Sequence, residues 1–137
     1  MRVILDTNIL VSAILSPDGN ANLALRRWLD GRFVLLTSSE QLVAELKRTL
    51  RKPYIERHYK PHDAGKLINL LRTLALQIER LPVVRRSSDS EDDFLLALAQ
   101  VGKADYLVTG DKAGLLALRR HAGTGIVTAA EFAILFK

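Results

Sequence analysis

The sequence contains no cysteine, and this absence excludes three classes of chemistry at once. A chain without thiols cannot form disulfides, bind metal through thiolates or use a cysteine nucleophile. Histidine is scarce as well, with only His58, His62 and His121. The first two flank Pro61, which disfavours a shared helical face. A histidine-based metal or catalytic site is therefore not predicted.

Long apolar runs and phosphate-binding loops are also missing. No segment approaches the eighteen or so apolar residues that a membrane span requires, and Asp6 comes too early for a signal peptide. The sequence has no glycine-rich nucleotide-binding loop and no Gly-x-Ser-x-Gly motif. We therefore expect a cytoplasmic protein that does not contact membranes.

The chain is hydrophobic enough for one packed domain but carries its charge unevenly. Its 137 residues are 48% hydrophobic, which predicts a single domain over residues 1–137. Residues 47–86 contain eleven Lys/Arg and three acidic residues, a net charge of +8, against −3 for the remainder. This imbalance predicts a polyanionic partner, although a solvated pair of helices would explain the same charges. On charge alone, the predicted contacts with such a partner are Arg48, Arg51, Lys52, Arg85 and Arg86.

Short apolar runs alternate with helical segments along the whole chain. Residues 3–5, 33–37, 104–109 and 125–128 are typical of buried strands, and a further short strand is predicted within residues 78–84. This alternation predicts an α/β domain with a central parallel sheet covered on both faces. Such sheets bind ligands at the carboxyl ends of their strands.

Carboxylates follow the predicted strands at that edge. Asp6 ends the first strand, Asp111 follows the strand that ends at Thr109, and Glu45 flanks the apolar stripe of the third helix. Four more acids begin the helix before the later strand: Asp89, Glu91, Asp92 and Asp93. Converging carboxylates repel, and Mg²⁺ or Mn²⁺ relieves that repulsion because both prefer oxygen ligands. The pattern predicts a metal site that activates water for attack on a phosphodiester.

Each acid also has a purely structural explanation. Asp6 and Asp111 could each cap the helix that follows it. Ser88 and Glu91 fit a capping box, and at least two acids of residues 89–93 are expected to be structural only. Glu45 taken alone could be a surface residue. The spacing therefore leaves both interpretations open.

Three segments resemble the PIN-domain family in their order along the chain. They are the opening Val-Ile-Leu-Asp-Thr-Asn at residues 3–8 with its apolar continuation, the acidic helix start at residues 89–99, and the strand and acidic turn at residues 104–111. The chain is similar to the PIN proteins that act as toxins of toxin–antitoxin systems, the VapC-like ribonucleases. This resemblance implies a three-layer α/β/α sandwich with a sheet of about five strands. It also implies a Mg²⁺- or Mn²⁺-dependent endoribonuclease, a small antitoxin partner and a homodimer.

The resemblance also implies roles for individual residues. Four acids match the family's catalytic and metal-binding positions: Asp6, Glu45, Asp92 and Asp111. Asn8 and Thr109 match polar positions that support those acids. Asp89 or Asp93 could join or replace Asp92. Because neighbouring residues diverge by about 100° on a helix, Asp92 and Asp93 are not both expected to be primary ligands.

Two other functions are compatible with parts of the pattern. A phosphatase of the haloacid-dehalogenase type would use Asp6 as a covalent nucleophile. Such enzymes usually carry a second aspartate two positions later, where this chain has Asn8. A catalytically weak PIN-like module would bind RNA or protein without cutting, but the presence of all four acids argues against it.

Overall fold

Strands and helices alternate in space as the apolar pattern predicts. A computed structural model describes residues 1–86, 93–111 and 114–136. The strands are β1 (Arg2–Leu5), β2 (Val34–Thr37), β3 (Leu76–Gln77), β4 (Tyr106–Val108), β5 (Arg120–His121) and β6 (Thr124–Val127). The helices are α1 (Thr7–Leu15), α2 (Asn20–Leu29), α3 (Ala44–Leu50), α4 (Pro53–Glu56), α5 (Pro61–Leu74), α6 (Asp93–Gly102), α7 (Leu115–Leu118) and α8 (Ala129–Ile134). A π-helical turn, Ser39–Val43, leads into α3.

The strands of the described residues form one sheet in the order β3-β2-β1-β4-β6-β5. All neighbouring pairs are parallel except β5 and β6, which are antiparallel. The described residues therefore form a mixed sheet of six strands, where a parallel sheet of about five strands was predicted. The prediction of a strand within residues 78–84 is wrong. The strand lies just before that range, and only Ile78 continues it, by donating its amide to the Thr37 carbonyl oxygen at 2.9 Å.

Helices cover both faces of this sheet, and each face has its own apolar core. Val3 and Leu5 of β1 pack with side chains from α1, α2, α3, α5 and α8. Ile4, between them, packs on the opposite face with side chains from α6 and α7. Alternation along a strand that is buried on both sides explains why the run carries no polar residue. The predicted α/β sandwich is confirmed. Among the described residues, no helix is long and apolar enough to cross a membrane.

The parallel register brings the candidate residues to one edge. Leu5 pairs with Val108, so Asp6 and Thr109 both follow directly on paired strand ends. Helix α3 and its preceding π-helical turn follow β2 at the same edge, and α6 begins there before it crosses back toward β4. The fold therefore gathers the ends of β1, β2 and β4 with the beginnings of two helices.

Candidate metal centre

Asp6 is fixed at the end of β1 by its backbone. Its amide donates to the Val108 carbonyl oxygen at 3.0 Å, which extends the ladder with β4. Its carbonyl oxygen then accepts from the amides of Ile9 and Leu10, which starts α1. The residue is only 5% exposed, and the Thr109 hydroxyl donates to its Oδ2 at 2.7 Å. The strand end therefore holds a carboxylate in a buried, defined position.

Burial raises the pKa of the Asp6 carboxyl, because desolvation penalises the charged form. The hydrogen bond from Thr109 and weaker interactions with the amides of Asn8 and Thr7 oppose this rise, and the nearby charge of Asp111 adds to it. Asp6 stands at the N-cap position of α1 but makes no side-chain capping hydrogen bond there. The burial makes Asp6 a candidate ligand for a cation, and the interactions with the Asn8 and Thr7 amides also fit its position at the start of α1.

Asp111 lies beside this carboxylate but is oriented by its own turn. Its amide donates to the Thr109 hydroxyl at 3.2 Å, so that one hydroxyl links it to Asp6. Its two carboxylate oxygens accept from the amides of Gly114 at 3.1 Å and Leu115 at 3.3 Å. Asp111 therefore binds the backbone amides at the start of α7, although Gly114 is the N-cap residue of that helix, and metal binding by Asp111 stays a prediction.

Gly114 is a residue whose role the sequence did not reveal. A Cβ atom on Gly114 would overlap Oδ2 of Asp111. The absence of a side chain therefore allows the carboxylate to lie against the backbone at the start of α7. A glycine three residues after an acid at a strand end was the available signal.

The remaining candidate acids are placed only in part. Glu45 lies in the first turn of α3 and is half-buried. Asp93 is buried at the first position of α6, where its Oδ1 accepts from the Arg86 amide at 3.1 Å. Asp89 and Asp92 fall outside the described residues, as does Glu91. Among the residues that the structure does describe, no three acidic or histidine side chains are grouped closely enough to hold a metal ion.

The donor set at this edge nevertheless suits a hard cation. The hydroxyls of Thr7, Thr37 and Ser38 are buried and make no hydrogen bond in the structure. Thr37 ends β2 and Ser38 follows it, at the edge of the sheet where Asp6 follows β1, and Thr7 comes directly after Asp6. Buried hydroxyls without partners are usually satisfied by water or ions. Together with Asp6 and Asp111 they offer only oxygen atoms, the donors that Mg²⁺ and Mn²⁺ prefer.

The predicted supporting and RNA-contacting residues have different surroundings. The Thr109 hydroxyl binds Asp6, whereas Asn8 is exposed and acts on Asp6 through its backbone amide. The five predicted RNA contacts are all exposed: Arg48, Arg51, Lys52, Arg85 and Arg86. Arg86 also makes a contact within the protein, because its Nη1 donates to Nδ1 of His121 at 2.8 Å.

His121 belongs to a polar network between β5 and α6. Because Arg86 donates to Nδ1, the imidazole is neutral with its proton on Nε2, which faces Oε1 of Gln100 at 3.1 Å. Burial lowers the pKa of His121, the Arg86 charge lowers it further, and Asp93 opposes both. The structure buries this histidine, and no local sequence pattern indicated that burial.

This network predicts a component of stability that is lost in acid. In the unfolded chain His121 binds a proton at its ordinary pKa, whereas the folded pKa is lower. Stability from neutral His121 is therefore complete above about pH 6.5 and falls as the pH drops toward the folded pKa. The loss is about 1.4 kcal/mol for each unit of lowering. A glutamine can make both hydrogen bonds without titrating.

The free energy of unfolding of the wild type and of His121→Gln should be measured in urea between pH 7.5 and pH 5. The wild type should lose more stability than the variant over this interval. His58→Gln, at an exposed position, serves as the matched control and should follow the wild type. Parallel curves for the wild type and His121→Gln would contradict the neutral assignment.

The fold is a mostly parallel α/β sandwich, and it brings two aspartates, Asp6 and Asp111, together at the carboxyl edge of its sheet. The family model for the PIN domain matches residues 2–113, so the chain belongs to the PIN-domain family. This match confirms the resemblance seen in the sequence. Proteins of this family are generally nucleases that use divalent metal ions.

Two solved structures show a similar fold. One is the VapBC2 complex from Rickettsia felis bound to a DNA fragment from its promoter, with 15% identity and a TM-score of 0.59. The other is FitAcB from Neisseria gonorrhoeae, with 19% identity and a TM-score of 0.53. Each match covers 93% of this chain and 98% of the other. A search of curated protein sequences found no match.

Proposed function

We propose that this protein is a Mg²⁺- or Mn²⁺-dependent endoribonuclease and the toxin of a toxin–antitoxin pair, acting in the cytoplasm. The observation that carries the proposal is the state of Asp6. Its carboxylate is buried, desolvation raises its pKa, and the Thr109 hydroxyl donates a hydrogen bond to it. Membership of a family of metal-using nucleases supplies the reaction class.

Several acidic side chains would coordinate the cation together. Asp6 and Asp111 lie close enough for the charge of one to raise the pKa of the other, which favours a divalent ion between them. Glu45 and Asp92 would complete the set, with Asp89 as a substitute for Asp92. Asp93 is already engaged by the Arg86 amide, which favours a structural role for it. A bound cation would lower the pKa of a water molecule and stabilise charge on the scissile phosphate.

The chain's own residues determine the geometry of that reaction. Thr109 orients Oδ2 of Asp6 and positions the Asp111 amide, so one hydroxyl sets the relation between the two acids. The Gly114 and Leu115 amides orient the Asp111 carboxylate. Such outer contacts commonly tune ligand basicity and orientation. Exposed cations on α3 and beyond would attract the RNA backbone.

The partner proposal rests on the two similar structures. VapBC2 and FitAcB are complexes, and the former also holds promoter DNA. By analogy, a small antitoxin protein would bind this chain and suppress cleavage. A homodimer is the second proposed assembly, and size-exclusion chromatography with light scattering of the purified chain would test it.

The proposed ribonuclease activity can be tested by measuring whether RNA cleavage depends on a divalent metal ion. The purified protein should cleave a labelled RNA in Mg²⁺ or Mn²⁺, lose cleavage in EDTA and regain it when Mg²⁺ is restored in excess. An Asp6→Asn preparation purified identically excludes a contaminating ribonuclease and should be slower by about 100-fold or more. Cleavage that persists in EDTA, or that is equal in the two preparations, would refute the proposal. RNA binding without cleavage would instead identify a non-catalytic module.

A further inference from the structure

Tyr54 is an exposed aromatic residue in the most basic part of the chain. The chain has eight aromatic residues, and all of them lie within the described ranges. Tyr54 alone among them is exposed, with 58% of its surface accessible. The other seven are buried or half-buried. This side chain contributes little to the core, so its surroundings decide what it could bind.

The position of Tyr54 is fixed by its neighbours on α4. Pro53 begins this short helix, and Ile55, the residue after Tyr54, is buried in the core that also contains side chains of α1 and α3. The Tyr59 hydroxyl donates to the Leu50 carbonyl oxygen at 2.6 Å, which ties the chain after α4 back to the end of α3. Because Ile55 points inward, the adjacent Tyr54 is presented to solvent on an ordered turn.

Basic residues precede and follow this tyrosine in the sequence. Arg48, Arg51, Lys52 and Arg57 are all exposed, and Glu56 is the acid among them. We call Tyr54 with Arg48, Arg51, Lys52 and Arg57 the α3–α4 surface. Its charge complements a polyanion.

The α3–α4 surface is continuous with the candidate metal centre. Glu45 lies in the first turn of α3, and Arg48 is three residues later on the same side of that helix. At 1.5 Å per residue, α3 runs about 8 Å from Glu45 to its last residue, Leu50, and Lys52 follows two residues later. A strand of a few nucleotides can cover this distance.

We propose that the α3–α4 surface is a subsite for single-stranded RNA, in which Tyr54 stacks on a base and the four cations bind flanking phosphates. The proposal rests on the proposed function, because it assumes an RNA substrate, and it assigns a subsite outside the metal centre. An aromatic face among cations is the arrangement that proteins use to bind unpaired bases. An acidic protein partner would need the cations but not the ring, which makes Tyr54 the discriminating residue.

Binding without cleavage tests the subsite. The full-length protein in EDTA would be titrated into fluorescein-labelled oligouridine of about twelve nucleotides, with fluorescence anisotropy as the readout. Tyr54→Leu should weaken binding roughly tenfold, whereas Tyr54→Phe, which keeps the ring, should bind like the wild type. Arg48→Gln should weaken binding and lower its salt dependence. Arg72→Gln, exposed on the last turn of α5 near the opposite edge of the sheet, is the matched charge control and should change neither.

Each outcome supports or overturns the subsite. Equal affinity of Tyr54→Leu and the wild type would overturn it, and a loss confined to Arg48→Gln would identify a surface for an acidic partner. Equal affinity for a fully paired RNA duplex would overturn it too. Because binding is measured without metal, a protein that binds as predicted but does not cleave refutes only the proposed function. Cleavage that needs no part of this surface refutes only the subsite.

Discussion

In EDTA, the Asp6→Asn variant should unfold at a higher temperature than the wild-type protein. The raised pKa of Asp6 means that folding favours its neutral form. The ionised carboxylate therefore destabilises the fold increasingly as the pH rises from the ordinary pKa of 3.8 toward the folded pKa, and above that the cost is constant. An asparagine avoids the charge, and its amide oxygen can still accept from the Thr109 hydroxyl. We expect a gain on the order of 1 kcal/mol, or roughly 3–5 °C.

Magnesium should reverse this order. A cation that binds only the folded protein stabilises it by about 2.7 kcal/mol at a hundred times its dissociation constant. The wild type should therefore gain stability with Mg²⁺ while Asp6→Asn gains little, and the two melting curves should cross over during the titration. Differential scanning calorimetry at pH 7.5 gives the melting temperatures of both proteins at each Mg²⁺ concentration.

The matched control is Asp18→Asn, which makes the same substitution on an exposed loop. It should leave the melting temperature within about 1 °C of the wild type and respond to Mg²⁺ as the wild type does. A destabilised Asp6→Asn in EDTA would show that the carboxylate is needed for packing. Equal gains in Mg²⁺ for the wild type and Asp6→Asn would remove Asp6 from the metal site.

The sequence could predict the parts of the site that depend on local pattern. Asp6 ends an apolar run, and Asp111 follows another run by a polar residue and a glycine, so parallel pairing alone brings them to one edge. Thr109 was expected to support the acids, and its hydroxyl does lie between Asp6 and the Asp111 amide. Strand ends are predictable because a buried strand tolerates no charge until it leaves the sheet.

Features that depend on contacts distant in sequence could not be predicted in the same way. Arg86 meets His121 across 35 positions, and the burial of that histidine follows from how β5 folds back against β6. The antiparallel edge itself carries no apolar run, because β5 is two residues long. Which of Asp89, Asp92 and Asp93 is the metal ligand depends on which side of the helix faces the site. Only Asp93 lies in the described residues, where it is turned toward Arg86.

Thr109→Val should damage the candidate site more than its conservative appearance suggests. Valine has the same shape but no hydroxyl, so Oδ2 of Asp6 loses its side-chain donor and the Asp111 amide loses its acceptor. Thr109 is fully buried, and water cannot readily replace either bond. Polar groups left unpaired inside a protein cost about 1–3 kcal/mol. Loss of an outer contact of this kind weakens metal affinity by about 10- to 100-fold.

The matched variant is Thr109→Ser, which keeps the hydroxyl and removes the methyl group. It should lose about 1 kcal/mol of stability to the small cavity, yet keep its affinity for Mg²⁺. Isothermal titration calorimetry with Mn²⁺, together with urea unfolding, separates the two quantities. If valine and serine weaken metal binding equally, the hydroxyl does not position the acids. If valine costs stability but leaves Mn²⁺ affinity unchanged, Thr109 is structural and the metal does not depend on the orientation of Asp6. The proposed mechanism requires that valine alone lose the metal, because the hydroxyl links the Asp6 carboxylate to the backbone amide of Asp111.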